Sequence, residues 1–530
     1  MNEEQELPKG WEWTTLPVLS DNLDSRRVPI NNSERNERIA GKVEKELVPY
    51  YGATGQVGYI DKPLFDEELL LLGEDAAPFY DPAKPVAYLI QGKSWVNNHA
   101  HILRAKPATT NRFLLHYLNS FDYHGYVTGT TRLKLTQQSM NTIPLPLPPL
   151  AEQGRIVAKL EELFSRLDAG VAAVRQSQQL LKRYRQSVLH AAVTGALTSA
   201  WRTAHPAPAE TGAALLARIR AEKEHLVKAG KLRKEKQLPD VDDNEKPFPL
   251  PDGWSWFRMG NILLKLTDGT HHSPINTEKG DFKYITAKNI KQSGIKLSKL
   301  TFVNKETHDE IYSRCNPELG DVLYIKDGAT TGIAAINMLA EPFSMLSSVA
   351  LLKCSKEIIN KYLHSVLSSS YFYNVMRDDM SGVAITRVTL KKLANALVQL
   401  PPLAEQAEIV AEVERRLSTI DALEQTLAAE LKRAERLRQS LLHRAFTGRL
   451  VPQDATDEPA GELLARLREA AAPGPAKAKA SRAKAAAAPV AGDAGEGKRR
   501  GRPRKGVADG AVAEVAETPL PVGTQTTLGF

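Results

Sequence analysis

Leu145-Pro146-Leu147-Pro148-Pro149-Leu150-Ala151-Glu152-Gln153 returns later in the chain as Leu400-Pro401-Pro402-Leu403-Ala404-Glu405-Gln406. The match runs on without a gap for about fifty residues at a constant offset of 253. Ile156-Val157 is answered by Ile409-Val410, Asp168-Ala169 by Asp421-Ala422, and Gln186-Ser187 by Gln439-Ser440. Both copies close together, at Thr194-Gly195 and Thr447-Gly448. Upstream, Leu7-Pro8-Lys9-Gly10-Trp11-Glu12-Trp13 is answered by Leu250-Pro251-Asp252-Gly253-Trp254-Ser255-Trp256. The chain is thus two copies of one plan. The stretches between the matching ends, roughly 20 to 140 and 263 to 395, agree only in patches, which suggests one scaffold presenting two different binding surfaces.

Residues 151 to 190 read as a long helix, because Leu160, Leu167, Val174, Leu181 and Val188 recur every seven residues. Val413, Ile420, Leu427, Ala434 and Leu441 hold the equivalent places in the second copy. Two heptad stripes in one chain need partners, and internal two-fold symmetry would set the helices side by side and antiparallel. Each would be a rigid spacer roughly 60 Å long. The middles carry strand and turn signals instead, as in Val48 to Gly55 and Asp321 to Thr330, so each is expected to be a mixed α/β domain.

The expected organisation is therefore 1–145 as a first globular domain, 146–198 as a first helical spacer and 199–246 as a charged, helix-prone linker. Residues 247–398 form a second domain, 399–450 a second spacer and 451–470 a terminal helix. Residues 471–530, rich in Ala, Pro, Gly and Lys, are expected to be disordered.

The 530 residues are 42% hydrophobic and 25% charged, a globular balance. No apolar run approaches a membrane span, and the acidic start Met1-Asn2-Glu3-Glu4 is unlike a secretory signal, so a cytoplasmic location is expected. Two cysteines, Cys315 and Cys354, make neither a disulfide framework nor a metal pair. Of the net charge of +8, the tail from 471 supplies +5 (ten Lys or Arg against five Asp or Glu), so global charge says little about the folded part.

Enzyme machinery is not in evidence. Gly52-Ala53-Thr54-Gly55-Gln56-Val57-Gly58 lacks the spacing of a dinucleotide loop, and Gly92-Lys93-Ser94 lacks the earlier glycine of a phosphate loop. There is no Asn-Pro-Pro-Tyr run of an amino-methyltransferase, and no metal-ligand cluster stands out. The reading is a non-catalytic chain with no cofactor and no metal.

The duplicated Pro-Pro-Leu-Ala-Glu-Gln entry to a long helix, with Leu-Pro-x-Gly-Trp-x-Trp opening each half, closely resembles the specificity subunit of type I DNA restriction and modification enzymes. The resemblance covers nearly all of residues 7 to 450. It is reinforced by Asp268-Gly269-Thr270-His271-His272-Ser273-Pro274, by Tyr284 to Ile290 and by Gly328-Ala329-Thr330-Thr331-Gly332, which look like a recognition-domain series that the first middle lacks. It implies two target-recognition domains held apart by two helices, each taking one half of a split double-stranded DNA site. The methyl donor, ATP and metals would belong to two methylation subunits and to restriction subunits, with the Pro-Pro-Leu-Ala-Glu-Gln helix starts and the Thr-Gly ends as candidate docking surfaces.

Base readout needs donor-rich side chains on loops, with Lys and Arg on phosphates. The candidates in the first domain are Tyr50, Tyr51, Thr54, Gln56, Asn97, Asn98, His99 and Arg132. In the second they are His271, His272, Lys288, Asn289, Lys326, Thr330, Thr331, Ser347 and Arg387. In the tail, Lys498 to Lys505 resembles an AT-hook, whose Arg500 and Arg502 would enter the minor groove of A·T tracts, and Gln525 to Phe530 loosely resembles a sliding-clamp peptide. Two rival classes stay open at this level: an autonomous DNA-modifying or cleaving enzyme with a divergent active site, and a coiled-coil assembly protein. Activity of the purified chain alone on DNA separates the first, and a footprint separates the second.

Overall fold

The repeated ends form the framework of the computed structural model, which describes residues 6–206, 210–377 and 387–471. In each half the opening signature pairs antiparallel with the strand that leads into the Pro-Pro pair: Glu12–Thr15 with Pro144–Leu147, and Ser255–Arg258 with Leu397–Leu400. Each half is thereby closed at its neck. The prolines hold the chain extended, and a helix starts directly after them, at Leu150 and at Leu403. These helices, Leu150–Thr194 and Leu403–Phe446, contain 45 and 44 residues.

At each helix start the Glu-Gln pair faces inward. Glu152 accepts the Trp11 indole N–H at 3.0 Å, and Glu405 accepts that of Trp254 at 2.7 Å. The Gln153 amide donates to the carbonyls of Ala108 and Pro148, at 3.1 and 3.0 Å. Gln406 does the same for Glu357 and Pro401, at 3.1 and 3.2 Å. All four side chains are buried. The Glu-Gln side chains of the motif thus fasten head, neck and helix together, while Leu150 and Ala151 beside them stay exposed.

The two long helices lie antiparallel. Arg438 pairs with Asp168 and Arg185 with Asp421, and because each residue has its counterpart 253 positions away, the second pair repeats the first. The points midway between the paired positions set a two-fold axis between Gln176 and Ser177 on one helix and Ala429 and Glu430 on the other. Around it Leu167, Val174, Leu181, Leu427 and Ala434 are only half-buried, as a seam between two helices must be.

Each helix begins on its own head and ends on the other. The first core joins Trp11, Phe113 and Tyr117 with Leu442, Ala445 and Phe446 from the end of the second helix. The second core joins Trp254, Tyr362 and Val398 with Val188, Ala192 and Val193 from the end of the first. Within the stretch read as a charged linker, Gly212–Lys228 is a helix whose Leu215, Leu216 and Ile219 are buried in the second core. The terminal helix Ala460–Ala471 puts Ala460 and Leu464 into the first.

Although their sequences have diverged, the two middles share a topology. The first contains a four-stranded antiparallel sheet in the order Ser20–Asn22, Ala100–Ala105, Leu69–Gly73, Ala87–Ile90. The second has Leu263–Asp268, Val349–Cys354, Val322–Ile325, Ala334–Ile336 in the same order. Each has a second sheet built on a parallel pair, Val48–Gly52 beside Lys93–Val96 in one and Phe282–Ile285 beside Ser344–Met345 in the other. Burial pushes the thiols of Cys315 and Cys354 up to about 12; Cys315 lies in a core and Cys354 is half-buried against one. Among the described residues no helix is long and apolar enough to cross a membrane.

Candidate nucleic-acid interface

In the first head, backbone hydrogen bonds gather three loops at one sheet edge. Asn97 N–H donates to the Tyr51 carbonyl at 3.0 Å, Glu74 N–H to His99 at 2.8 Å, and Leu135 N–H to Glu74 at 2.8 Å. The hairpin tip, the 97–99 turn and the 132–134 loop thus become neighbours. Thr54, Gln56, Asn98 and Arg132 are exposed there, and Tyr51, Asn97 and His99 are half-buried. Arg132 donates from Nε to Asp75 at 2.7 Å, with His99 Nδ1 3.3 Å from its terminal nitrogen. Tyr50 departs from the expectation. It is only 6% exposed, lies under the Arg35 guanidinium at 5.1 Å, and burial raises its phenol pKa, so it supports the hairpin rather than presenting a contact.

Beneath these loops Asp24, Glu74 and His101 place ligand atoms within 4.8 Å of one another. The His101 nitrogens are already engaged, with Asp24 at 2.6 Å and the Leu135 carbonyl at 3.0 Å. Arg27 and Lys134 stand against Glu74, at 2.6 and 3.3 Å. Burial alone would lift the Asp24 carboxyl, but His101, the Ile102 N–H and Arg27 together hold it below the usual range. The cluster is a self-neutralised brace under the loops.

The second head repeats the arrangement with other side chains. Ser347 N–H donates to the Thr270 carbonyl at 2.8 Å, Lys326 N–H to Ser348 at 2.9 Å, and Val388 N–H to Lys326 at 2.7 Å. Gly269 is required at the crossing, since a Cβ there would collide with the Met345 carbonyl. His271, His272, Lys288, Thr330 and Arg387 are exposed on this edge, and Ser347 is half-exposed.

Three candidates turn inward instead and are corrected. Lys326, 2% exposed, is held by Asp327 at 3.0 Å and Asp268 at 3.4 Å. Asn289 accepts the Thr286 N–H at 3.0 Å and so pins its own loop. Thr331 donates to the Gly328 carbonyl at 2.7 Å inside a turn whose Gly328 has a φ of +98°. Each fixes a loop that carries exposed neighbours. Arg500, Arg502 and Gln525 to Phe530 lie outside the described residues.

The two edges correspond position by position. Asp24 and Asp268 occupy the same place beside the strand pairs Leu72–His101 and Tyr324–Ala350, and Asp75 and Asp327 each bridge to a basic residue, Lys134 and Arg387. Lys134 was not among the sequence candidates. Its place 253 residues before Arg387 is the signal that marks it. Arg314, half-exposed and donating to Asp268 at 2.8 Å, was also missed, because nothing local ties it to an edge 46 residues away.

This geometry defines a class: a rigid two-headed scaffold, with equivalent loop edges carrying different donors and acceptors. Residues 10–173 and 251–433 match the family model of the type I restriction modification DNA specificity domain, and the chain belongs to that family. It is 31% identical over 372 residues to the type I restriction enzyme EcoBI specificity subunit of Escherichia coli, a match covering 67% of this chain and 70% of that one. It is 26% identical over 496 residues to the EcoKI specificity subunit of Escherichia coli strain K12, covering 88% of this chain and 94% of that one. A solved chain, described under complex assembly and conformational transition of the type I R-M system, superposes with a TM-score of 0.55 at 18% identity. It covers 84% of this chain and 100% of that chain, a likeness of fold.

Proposed function

We propose that this chain is the non-catalytic sequence-recognition subunit of a type I restriction-modification complex. The first head reads one half of a split double-stranded DNA target, the second reads the other, and the antiparallel helices set the unread gap. The observation that carries this reading is the pairing of a four-stranded sheet of the same strand order in both heads with different exposed side chains, on a framework whose two long helices are related by a two-fold axis. Two reading heads on one face of B-DNA sit about one helical turn, roughly 34 Å, apart, which a pair of long helices can span.

Thr54, Gln56, Asn98, His99 and Arg132 are the contacts proposed for one half-site, with Tyr51 and Asn97 behind them. His271, His272, Lys288, Thr330, Ser347 and Arg387 serve the other. Polar side chains on base edges and Arg or Lys on phosphates divide the work between specificity and register. Two methylation subunits, and restriction subunits in the full complex, supply the chemistry in the cytoplasm. Arg500 and Arg502 are proposed to add sequence-tolerant minor-groove contact, and Gln525 to Phe530 to offer a clamp-binding peptide. The test is selection of bound sequences from randomised duplexes by the chain assembled with methylation subunits. Two short specified blocks separated by a fixed unspecified gap are expected, and a single continuous block or no enrichment overturns the reading.

A further inference from the structure

The helix Gly212–Lys228 ends at Gly230, whose φ of +70° turns the chain back, with Lys231 N–H donating to the Leu226 carbonyl at 2.9 Å. Eight residues on, the chain is fastened again. Leu238 N–H donates to the Asn261 side chain at 3.0 Å, and Asn261 donates back to the Leu238 carbonyl at 3.0 Å. Between these anchors the chain forms an arc laid against the second head, over a cleft of about 610 Å³ floored by Gly260, Asn261 and Leu264. The backbone of the arc is held at both ends.

The charges on it are sorted. From 228 to 236 there are five cations, Lys228, Lys231, Arg233, Lys234 and Lys236, against the single anion Glu235. All five are exposed, and none has an acidic partner within ion-pairing distance among the described residues. The acids that follow are occupied: Asp240 by Arg220 at 3.1 Å, Asp243 by Lys246 at 2.5 Å and Glu245 by Arg258 at 2.8 Å. Exposed cations without acidic partners, four of which (Lys228, Arg233, Lys234 and Lys236) line the cleft, have the footprint of a phosphate-binding surface. Its position agrees with that use. The strand Leu263–Asp268 begins beside the Asn261 anchor and ends at the reading edge of the second head, a run of about 20 Å, or roughly six base pairs at 3.4 Å per step.

We infer that Lys228 to Lys236 is a second, sequence-independent DNA contact, which holds the phosphates of the duplex flanking the half-site read by the second head. The inference rests on the reading of the chain as a DNA-recognition subunit. It assigns to the stretch between the two halves a binding role in addition to its structural one.

The test uses the full chain and a random-sequence duplex of about four helical turns, with affinity followed against salt. The parent is compared with a variant carrying Lys231→Gln, Arg233→Gln, Lys234→Gln and Lys236→Gln together. A second variant with Lys231→Arg, Lys234→Arg and Lys236→Arg keeps the charge. Each phosphate contact contributes about 0.9 to the slope of log K against log salt, so the neutral variant is expected to lose about three to four from that slope, while the charge-keeping variant follows the parent. Selected target sequences should stay the same. Parallel slopes for parent and neutral variant overturn the inference and leave the proposed function standing. Loss of methylation-subunit co-purification with an unchanged slope also overturns it, since the arc would then be a dock for an acidic protein surface. A parent that binds no DNA at any salt, alone or assembled with methylation subunits, removes the proposed function and the inference together.

Discussion

Arg185 on the first long helix grips Asp421 on the second, and 253 residues away from each, Arg438 and Asp168 make the same pair across the same interface. The duplication visible in the sequence is therefore a symmetry operation of the structure. It places each head at the start of one helix and against the end of the other, so the distance between the heads depends on both helices at once.

The two pairs should be worth similar, small amounts, although Arg185 also reaches Glu424 at 3.3 Å and Arg438 lies over the Phe164 ring. Both are partly exposed, and surface ion pairs contribute about 0.2–1 kcal/mol. Double-mutant cycles on Arg185→Ala with Asp421→Ala and on Arg438→Ala with Asp168→Ala, read by denaturant unfolding, should give coupling energies equal within about 0.5 kcal/mol. A strong coupling in one pair and none in the other would deny the two-fold relation.

Glu152 is expected to make the first head sensitive to pH. Burial raises its carboxyl above the ordinary range, with the Trp11 indole and Arg155 opposing, and its Oε1 has no hydrogen-bond partner. A raised pKa favours the folded state while the group is protonated, and that contribution is lost as pH rises through the folded value. Relative to the parent, Glu152→Gln should gain stability as pH rises above the ordinary glutamate range, read as a widening difference in melting temperature. A difference that does not change with pH would show that the carboxylate is comfortable where it sits.

Lys326 and His271 separate support from contact. Lys326 is nearly fully buried between Asp327 and Asp268, and Lys326→Met removes its charged hydrogen bond while Arg314 still pairs with Asp268, so it should destabilise the second head by about 1.5–3 kcal/mol. His271 is more than half exposed, so His271→Ala should leave thermal unfolding within about 0.5 kcal/mol of the parent while altering binding to one half-site. The opposite pattern, in either residue, would reverse their assigned roles.

Replacing residues 20 to 140 with those of another family member should change one half of the selected target and keep the other half and the gap. Sequencing the bound duplexes reads this directly. A change in both halves would mean that the heads do not read independently.

The framework was legible in the sequence because its signals are local or periodic: the heptad stripes, the proline entry and the repeat at offset 253. The reason for the entry motif was not, since Glu152 meets Trp11 across 141 residues and only the folded neck joins them. The shared topology of the middles was hidden for a related reason. Equivalent strands such as Leu69–Gly73 and Val322–Ile325 need only be apolar on both faces, a demand that many sequences meet. Within the heads, residue type could nominate Tyr50, Asn289, Lys326 and Thr331, but which way each side chain points depends on strand register and turn geometry. Those four turned inward, while their neighbours Tyr51, Lys288 and Thr330 remain at the surface or half-exposed.

The claim that the helix pair sets the gap is tested most directly by inserting one heptad into each helix at the two-fold axis, after Gln176 and after Ala429. Seven residues add about 10 Å to each helix, the length of roughly three base pairs, and keep the stripe in phase. Lengthening both preserves the equivalence of the Arg185 and Arg438 pairs, which lengthening one would destroy. Sequences selected by the doubly extended chain, assembled with methylation subunits, should contain the parent's two blocks with a longer gap, or binding should be lost, because about three added base pairs also turn the second half-site by roughly 100° around the duplex. The same two blocks at the parent's spacing would contradict the account.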